Sequence, residues 1–393
     1  MDFLITLTLI ILLTKLFSHI FAKFNLPTVI GELLVGIIFG PALLNLIHTD
    51  NFVTLFAQIG VILLMFIAGI EGDLTQLMKY WKPSLVVAIM GVIFPTIGAF
   101  IVCVLMFHFQ ISTALFIGLI LSATSVSISI QVLKEMNYLD SKEGMVILGA
   151  AVADDIICVI LLGIASSVFA GPHSNSLNLI GLILPKLLFF VLAFVFGKWL
   201  VPPILSLSKH LIATENLSGI AIVLCLAFAS LATYLGMSDV LGAYFIGLAI
   251  SQTKYKAELS AKIEAIGYST FIPVFFVSIG LNVKLAHLST NLPFILITII
   301  IALIGKQLGG WLGARLCGFS SESGNIIGAG MVSRGEMALV VAQVSINAHL
   351  IDQSHYTAMI IVTVVTTLIA PLLLKIFILK QHAQEPIPQV IAH

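Results

Sequence analysis

Two adjacent carboxylates stand inside a long apolar run of the sequence. Asp154 and Asp155 fall ten and eleven residues into an apolar stretch over about 145–169. If that stretch crosses a membrane, each aspartate costs roughly 2.5–3.5 kcal/mol near its centre, so the sequence predicts a use for both. Neighbouring residues of a helix point about 100° apart, which lets one carboxylate face a water-filled cavity while the other faces a protein partner.

A lysine occupies an equally central position in the second half of the chain. Lys306 falls near the middle of an apolar run over about 293–316. Because an ammonium group in hydrocarbon needs a counter-charge, we expect an ion pair between Lys306 and either Asp154 or Asp155. The other carboxylate is then the candidate for binding ions. The alternative is an ion pair that only fixes the packing of two helices.

Two further runs contain stretches that favour unwound backbone. Hydroxyl side chains crowd residues 122–127, and two charges flank a glycine in residues 333–336. Irregular backbone at membrane depth is tolerated only where it lines a cavity or packs inside protein, and crossing unwound segments present carbonyl groups to an ion. Thr124 and Ser125 are therefore candidate oxygen ligands. The alternative is that these hydroxyls only hydrogen-bond to their own helix.

Arg334 and Glu336 are the two charges of the second stretch. Residues two apart do not share a helix face, so they can pair or cap half-helices only where the backbone is broken. We expect a structural or regulatory role for both rather than direct contact with an ion. Six other charges are expected to be solvated or to reach the membrane surface: Lys15, Glu32, Glu71, Asp73, Lys186 and Lys198.

The composition indicates that membrane-spanning helices must position these groups. Of the 393 residues, 60% are apolar and 9% are charged, and the mean hydropathy is +1.16. Soluble domains carry about 25% charged residues, so a soluble enzyme is excluded. The 18 basic and 18 acidic residues cancel, which gives no sign of a nucleic-acid partner. Four cysteines without a CxxC pair argue against a disulfide framework or a zinc site, and we expect no cofactor.

Thirteen apolar runs are candidates to cross a bilayer as helices. With thirteen crossings, nearly all lysines and arginines outside the runs fall on the side that also holds the C-terminus. Cytoplasmic loops carry the Lys/Arg excess, so we expect an outer N-terminus and a cytoplasmic C-terminus in the cytoplasmic membrane. The predicted organisation is one membrane domain over about 1–380 and a short cytoplasmic tail over 381–393.

The chain also matches itself at an offset of 211 residues. The matching segments are 29–36 with 240–247, 69–70 with 280–281, and 122–125 with 333–336. We therefore expect repeat one over about 1–170, a linker helix over 178–205, and repeat two over about 215–380. One crossing between two six-span units gives them opposite orientations. Inverted repeats with crossed discontinuous helices are typical of secondary transporters.

These features together predict an antiporter. A carboxylate in the middle of a membrane can hold a proton or a small hard cation, but not both, and that competition is sufficient for exchange. The oxygens of Thr124 and Ser125 suit Na⁺ or Li⁺. If cation binding also breaks a pair between Lys306 and Asp154, two protons move per cation and the exchange is electrogenic.

The sequence resembles bacterial sodium/proton antiporters of the monovalent cation:proton antiporter-2 family, close to the NapA type. The motifs that carry the resemblance are Pro27-Thr28-Val29-Ile30-Gly31-Glu32, Gly36, Gly40-Pro41, Phe66-Ile67-Ala68-Gly69-Ile70-Glu71 and Ala123-Thr124-Ser125-Val126. Further along the chain they are Asp154-Asp155, Phe271-Ile272-Pro273-Val274-Phe275-Phe276, Lys306 and Arg334-Gly335-Glu336. The similarity runs over nearly the whole chain.

The resemblance implies a role for each central charge. Asp155 is expected to carry Na⁺ or H⁺, and Asp154 is expected to pair with Lys306. An Asp-Asp pair goes with electrogenic exchange in such proteins. The family further implies a homodimer in which a six-helix core domain moves against a dimerisation domain, in elevator-like alternating access. Potassium-efflux relatives usually carry Gln-Asp and a large cytoplasmic domain, and this chain has neither.

Three alternatives stay open at this stage. A K⁺/H⁺ or mixed Na⁺/K⁺:H⁺ antiporter on the same fold would show the same residues, since nothing in them fixes the radius of the ion site. An intramembrane aspartyl protease would need two carboxylates that converge on one water, whereas neighbours on one helix diverge, and no GxGD motif is present. A cation channel would need a continuous pore but no inverted repeat.

Overall fold

A computed structural model describes residues 3–24, 26–169, 179–208, 214–282, 292–347 and 350–382. The helices of the first half are α1 (Phe3–Lys23), α2 (Thr28–Phe39), α3 (Asn51–Glu71), α4 (Leu74–Lys79), α5 (Trp81–Leu105), α6 (Ile111–Ser122), α7 (Val126–Glu135), α8 (Lys142–Phe169) and α9 (Leu179–Val195). The helices of the second half are α10 (Val201–Ser208), α11 (Asn216–Tyr234), α12 (Asp239–Ser251), α13 (Lys256–Ile266), α14 (Ile272–Leu281), α15 (Leu292–Leu316), α16 (Ser321–Gly330), α17 (Glu336–Asn347) and α18 (Gln353–His382). Single π-helical turns join α9 to α10 and α13 to α14.

The predicted all-helical, polytopic class is confirmed. Within the described ranges, 10 helical segments are long and apolar enough to cross a membrane, and three shorter apolar helices lie over Thr28–Phe39, Asp239–Ser251 and Met337–Ile346. The number of thirteen crossings stays a prediction. All but the first two residues of the predicted tail over 381–393 lie outside the described residues.

Two spans are broken, at the positions that the sequence predicts. The helix from Ile111 stops at Ser122 and restarts at Val126, and the helix from Ser321 stops at Gly330 and restarts at Glu336. Hydroxyl side chains weaken the first segment because they compete for backbone hydrogen bonds. In the second segment, Gly335 carries no Cβ and lies directly against the Ser125 side chain.

The helices pack in two groups. The core group comprises α5–α8 and α15–α18: α15 packs on α5, α16 and α18, while α5 also packs on α6 and α8. The flanking group comprises α1–α3 and α11–α14: α12 packs on α3 and α11, and α14 packs on α2 and α3. Helices α9 and α10 lie against α11 and α12, so they are attached mainly to the flanking group.

Four glycines of the flanking group reproduce the repeat in three dimensions. Gly36 of α2 meets Gly280 of α14, and Gly69 of α3 meets Gly247 of α12, each so closely that a Cβ would clash with the facing backbone. Gly247 and Gly280 are the repeat partners of Gly36 and Gly69 at the offset of 211 residues. Each glycine therefore contacts the repeat partner of the other, which is the arrangement that a two-fold relation between the repeats produces.

Candidate functional site

Helix α8 carries both aspartates at its middle. Asp154 has no solvent exposure and Asp155 is 6% exposed. Small residues precede them, and Gly149 allows α5 to approach so closely that a Cβ would contact the Ser84 side chain. Adjacent helical positions diverge by about 100°, so the two carboxylates enter different surroundings although they are neighbours in the sequence.

Asp154 is held at both carboxylate oxygens. The ammonium group of Lys306 lies 3.0 Å from Oδ1. The backbone N–H of Thr124 donates to Oδ2 over 3.0 Å. Asp154 and Lys306 are both fully buried, so solvent cannot weaken their attraction. The structure thus brings together Lys306, Asp154 and the first helix break.

A stripe of glycines positions Lys306. Gly305, Gly309 and Gly313 of α15 lie so close to the backbone of α5 that side chains at these positions would clash. This contact sets α15 directly against α5, and the Lys306 side chain then passes alongside Gly91, where a Cβ would lie 3.4 Å from Nζ. Close backbone approach at small residues is a common mode of helix packing in membranes.

The two broken spans cross and hydrogen-bond to each other. The Ser125 N–H donates to the Ser333 carbonyl over 2.8 Å, and the Ser333 hydroxyl donates to the Ser125 carbonyl over 2.7 Å. The Ser129 hydroxyl donates to the Gly330 carbonyl over 2.5 Å. These three hydrogen bonds satisfy backbone groups that lose their helical partners at the breaks, as a low-dielectric interior requires.

Arg334 lies inside this crossing with no solvent exposure. Its guanidinium donates to the Leu121 carbonyl over 2.9 and 2.5 Å, to the Ala302 carbonyl over 2.8 Å, and to the Val332 carbonyl. The cation thereby satisfies carbonyl groups at the end of α6, where the helix dipole favours positive charge. The other charge of this stretch, Glu336, begins α17, and its side chain lies outside what the structure describes.

Thr124 and Ser125 stand in the first break, next to Asp154. Thr124 is 2% exposed, and within the described part of the chain its side-chain oxygen has no hydrogen-bond partner. A buried hydroxyl without a partner costs about 1–3 kcal/mol, so this oxygen is available to a ligand at a cost that the fold already bears. Ser125 is also fully buried, and its backbone is fixed by Ser333.

Comparison with known proteins decides the family. Residues 7–380 match the family model of the transmembrane domain of sodium/hydrogen exchangers. This chain belongs to the sodium/hydrogen exchanger family. The resemblance drawn from the sequence is confirmed, and because this is a family of transporters, it argues against the protease and channel alternatives.

Two relatives and one solved structure resemble this exchanger along its whole length. A Na⁺/H⁺ antiporter of Enterococcus hirae is 44% identical over 98% of this chain and 100% of its own length. The Na⁺/H⁺-K⁺ antiporter GerN of Bacillus cereus is 42% identical over 95% of this chain and 96% of its own. The sodium proton antiporter MjNhaP1 of Methanocaldococcus jannaschii superposes with a TM-score of 0.71 at 18% identity, covering 98% and 99% of the two chains, and shares the fold.

In this exchanger, a small cavity opens beside Asp155. The core group contributes Asp155 and Met337, the linker helix α9 contributes Lys186, and the turn between α11 and α12 contributes Gly236 and Ser238. Lys186 is only 6% exposed. The sequence-based expectation that Lys186 reaches the membrane surface is therefore wrong, because α9 turns this side chain inward.

A polar network joins the carboxyl end of α7 to the flanking group. Lys134 lies 2.9 Å from a carboxylate oxygen of Glu71 and 3.4 Å from one of Glu264. Glu135 accepts the N–H of Thr28 over 3.0 Å. We call these five residues the α7 network. Glu71 was expected to be solvated at the end of its span, and instead it is paired across the boundary between the two helix groups.

Two carboxylates outside the spans have a lowered pKa. The N–H groups of Gln76 and Thr75 lower the pKa of Asp73, which caps α4. The hydrogen bond from Lys262 lowers the pKa of Glu215. Both groups stay ionised near neutral pH and above it. They cannot therefore be the source of a protonation change that accompanies transport in this range.

Proposed function

We propose that this chain exchanges Na⁺ or Li⁺ for H⁺ across the cytoplasmic membrane, with Asp155 as the residue that carries the ion. One observation supports this assignment above the others. Both oxygens of Asp154 are engaged by Lys306 and Thr124, and Asp155 lines a cavity at the boundary between the core and flanking groups. A carboxylate at such a boundary can meet water and ions when the groups move.

The chemistry of exchange follows from one carboxylate with two mutually exclusive occupants. A proton neutralises Asp155 and leaves no charge to attract a cation, and a bound Na⁺ excludes the proton. The Thr124 hydroxyl oxygen supplies a neutral ligand, and the broken helices supply nearby carbonyl groups. Small cations that keep their charge need several such oxygens once they leave water.

The names of the relatives support the proposed identity of the transported ion. The Enterococcus hirae protein is named a Na⁺/H⁺ antiporter, and we extend that activity to this chain because the two align over nearly their full lengths. The Bacillus cereus relative is named a Na⁺/H⁺-K⁺ antiporter. K⁺/H⁺ or mixed Na⁺/K⁺:H⁺ exchange is therefore the second candidate activity for this chain.

An electrogenic cycle is the form of exchange that two carboxylates and one lysine support. With Lys306 paired to Asp154, the lysine keeps its proton while Asp155 has no cation. When the cation binds and the pair breaks, a second proton can leave in addition to the one displaced from Asp155. Two protons then move in one direction for each cation in the other.

Alternating access requires that the core and flanking groups shift against each other. The Asp155 cavity lies on their boundary, and the α7 network closes a different part of the same boundary. Opening the second region means breaking the ion pairs of Lys134 with Glu71 and Glu264. We propose that this occurs in an elevator-like movement within a homodimer, with the N-terminus outside and the C-terminus in the cytoplasm.

Flux through reconstituted protein tests the proposal. In proteoliposomes with an acidic interior, the wild-type chain is expected to take up Na⁺ or Li⁺ in exchange for H⁺ that leaves down its gradient. Asp155→Asn is expected to abolish this uptake while the protein folds normally. Asp73→Asn is the matched control, because Asp73 lies outside the site and should leave uptake unchanged. Retained pH-dependent Na⁺ exchange in Asp155→Asn contradicts the assignment. Competition among Na⁺, Li⁺ and K⁺ separates the two candidate activities.

A further inference from the structure

The linker helix carries two lysines in different surroundings. Lys198 lies in the π-helical turn after α9, is exposed, and stacks over the Phe194 ring with Nζ 5.7 Å from its centroid. Lys186 lies within α9 and is only 6% exposed. An ammonium buried inside a membrane protein is expensive, and such a group marks a functional site more often than a packing position.

The surroundings of Lys186 connect it to ion transport. It lines the same cavity as Asp155, and its ammonium lies beside the turn after α11, where a Cβ on Gly236 would come within 3.7 Å of Nζ. Gly236 has a φ of +70°, which favours glycine and keeps the backbone of this turn close to the ammonium. The fold thus aims a cation of the linker helix at the cavity that contains the proposed ion carrier.

The position of Lys186 gives its charge a role that Lys306 cannot have. Lys306 belongs to the core group together with Asp155, so movement of the core group carries both residues along. Lys186 belongs to the linker helix, which packs on α11 and α12 of the flanking group and also touches α8 of the core group. In the movement proposed above, α11 and α12 hold the linker helix while α8 shifts, so the distance between Lys186 and Asp155 changes.

We propose that Lys186 sets the affinity of the cavity for the transported cation, as a positive charge that opposes cation binding in the conformation described here. This inference rests on the proposed function of Asp155. A fixed ammonium in this cavity repels Na⁺ and favours its release from Asp155. As the core group moves away, the repulsion weakens and the carboxylate binds the cation more tightly. Lys186 thus acts through Asp155, and its charge makes the affinity for the cation depend on conformation.

Substitutions that change only the charge test this role. Lys186→Met is expected to lower the apparent KM for Na⁺ about tenfold, the scale of one charge acting across roughly 10 Å at an effective dielectric constant near 20. The measurement is made in proteoliposomes at a pH where each variant has reached its plateau rate, so that proton competition is removed. Lys186→Arg keeps the charge and should keep the wild-type KM. Lys198→Met is the matched control on the same linker and should also keep it.

A second readout does not depend on turnover. Na⁺ raises the melting temperature of a protein that binds it in the folded state, by an amount that grows with affinity. In detergent, Lys186→Met should be stabilised at lower Na⁺ concentrations than the wild type, whereas Lys186→Arg should follow the wild type. A merely structural lysine would change the melting temperature without Na⁺ but would not move the Na⁺ concentration at the midpoint.

The possible results are distinguishable. If Asp155→Asn is inactive while Lys186→Met keeps the wild-type KM and the wild-type Na⁺ midpoint, the role of Lys186 is refuted and the proposed function stands. A higher KM in Lys186→Met, or the same fall in KM in Lys186→Arg, also refutes it. If Asp155→Asn exchanges Na⁺ like the wild type, the proposed function itself fails.

Discussion

The ammonium of Lys306 lies 3.0 Å from Oδ1 of Asp154, and neither side chain has any solvent exposure. The second oxygen of Asp154 accepts the N–H of Thr124, so this ion pair also ties α8 and α15 to the first helix break. A buried ion pair contributes little relative to apolar residues of the same shape, but the loss of one partner leaves an uncompensated charge. The pair therefore makes the structure sensitive to single substitutions.

Removal of one partner should destabilise the protein strongly. We expect Lys306→Met to lower the free energy of unfolding by about 3–5 kcal/mol, because the charge of Asp154 is then buried without its counter-ion. The double variant with Asp154→Asn and Lys306→Met removes both charges and should melt close to the wild type. Melting temperatures in detergent measure both effects. This account is contradicted if the Lys306→Met protein is as stable as the wild type, or if the double variant is less stable than the Lys306→Met protein.

The Thr124 hydroxyl, which has no hydrogen-bond partner among the described residues, should contribute to cation binding rather than to folding. Thr124→Val keeps the backbone N–H that binds Asp154 but removes the side-chain oxygen. One contact to a charged group is worth about 1.5 kcal/mol, so we expect the apparent KM for Na⁺ to rise about tenfold. The melting temperature without Na⁺ should stay the same or rise, because the substitution removes a buried hydroxyl that has no partner among the described residues. Thr124→Ser retains the oxygen and serves as the control. Equal KM values in Thr124→Val and the wild type would show that this oxygen is not a ligand.

Tying the two helix groups together should stop exchange. Glu71 and Lys134 contact each other across the boundary, so cysteines at these two positions can be joined by a bifunctional thiol reagent of matching span. The background for this experiment has alanine in place of the native cysteines, which are Cys103, Cys158, Cys225 and Cys317. We expect cross-linking to abolish nearly all Na⁺ uptake. If the linker can be cleaved by a reductant, adding the reductant should restore the uptake.

Single-cysteine variants treated with the same reagent are the control for this experiment, because they are modified without being cross-linked. They should keep their uptake. Undiminished uptake in cross-linked protein would show that the α7 network does not open during transport.

The crossed glycine contacts should tolerate no side chain. Gly36→Val and Gly69→Val each place a side chain against facing backbone, and overpacking of this kind costs about 1–3 kcal/mol. Because the two contacts are related by the repeat, the two losses should be similar. Gly219→Val is the control, since within the described residues nothing beyond its own stretch of helix lies within 4 Å of a Cβ at that position. Melting temperatures that are equal for all three variants would count against close packing at the repeat contacts.

Much of the site could be predicted from the sequence because charge and hydroxyl groups are conspicuous in apolar runs. The positions of Asp154 and Lys306 near the middle of their runs predict a pair, and the serines of residues 122–127 predict a broken helix. Which aspartate pairs with Lys306 depends on how α8 is rotated relative to α15. That rotation is set by the close contacts that both helices make with α5, those of the α15 glycines and that of Gly149 in α8, which periodicity does not reveal.

Other features could not be predicted because they arise from contacts between distant segments. The depth of Lys186 along its span follows from the sequence. The direction in which its side chain points depends on how α9 packs on α11 and α12. Glu71 and Lys134 both lie near ends of helices, where solvation is the ordinary expectation. Their pairing follows only from the way the core group sits against the flanking group.

The central claim is that Asp155 holds protons and a sodium ion in turn, and proton release on Na⁺ binding measures this directly. Purified protein in weakly buffered detergent solution is titrated with NaCl, with choline chloride as the control salt, and the pH change is recorded. The account expects the wild type to release between about one and two protons per bound Na⁺ and Asp155→Asn to release none. Equal proton release by Asp155→Asn and the wild type would contradict it.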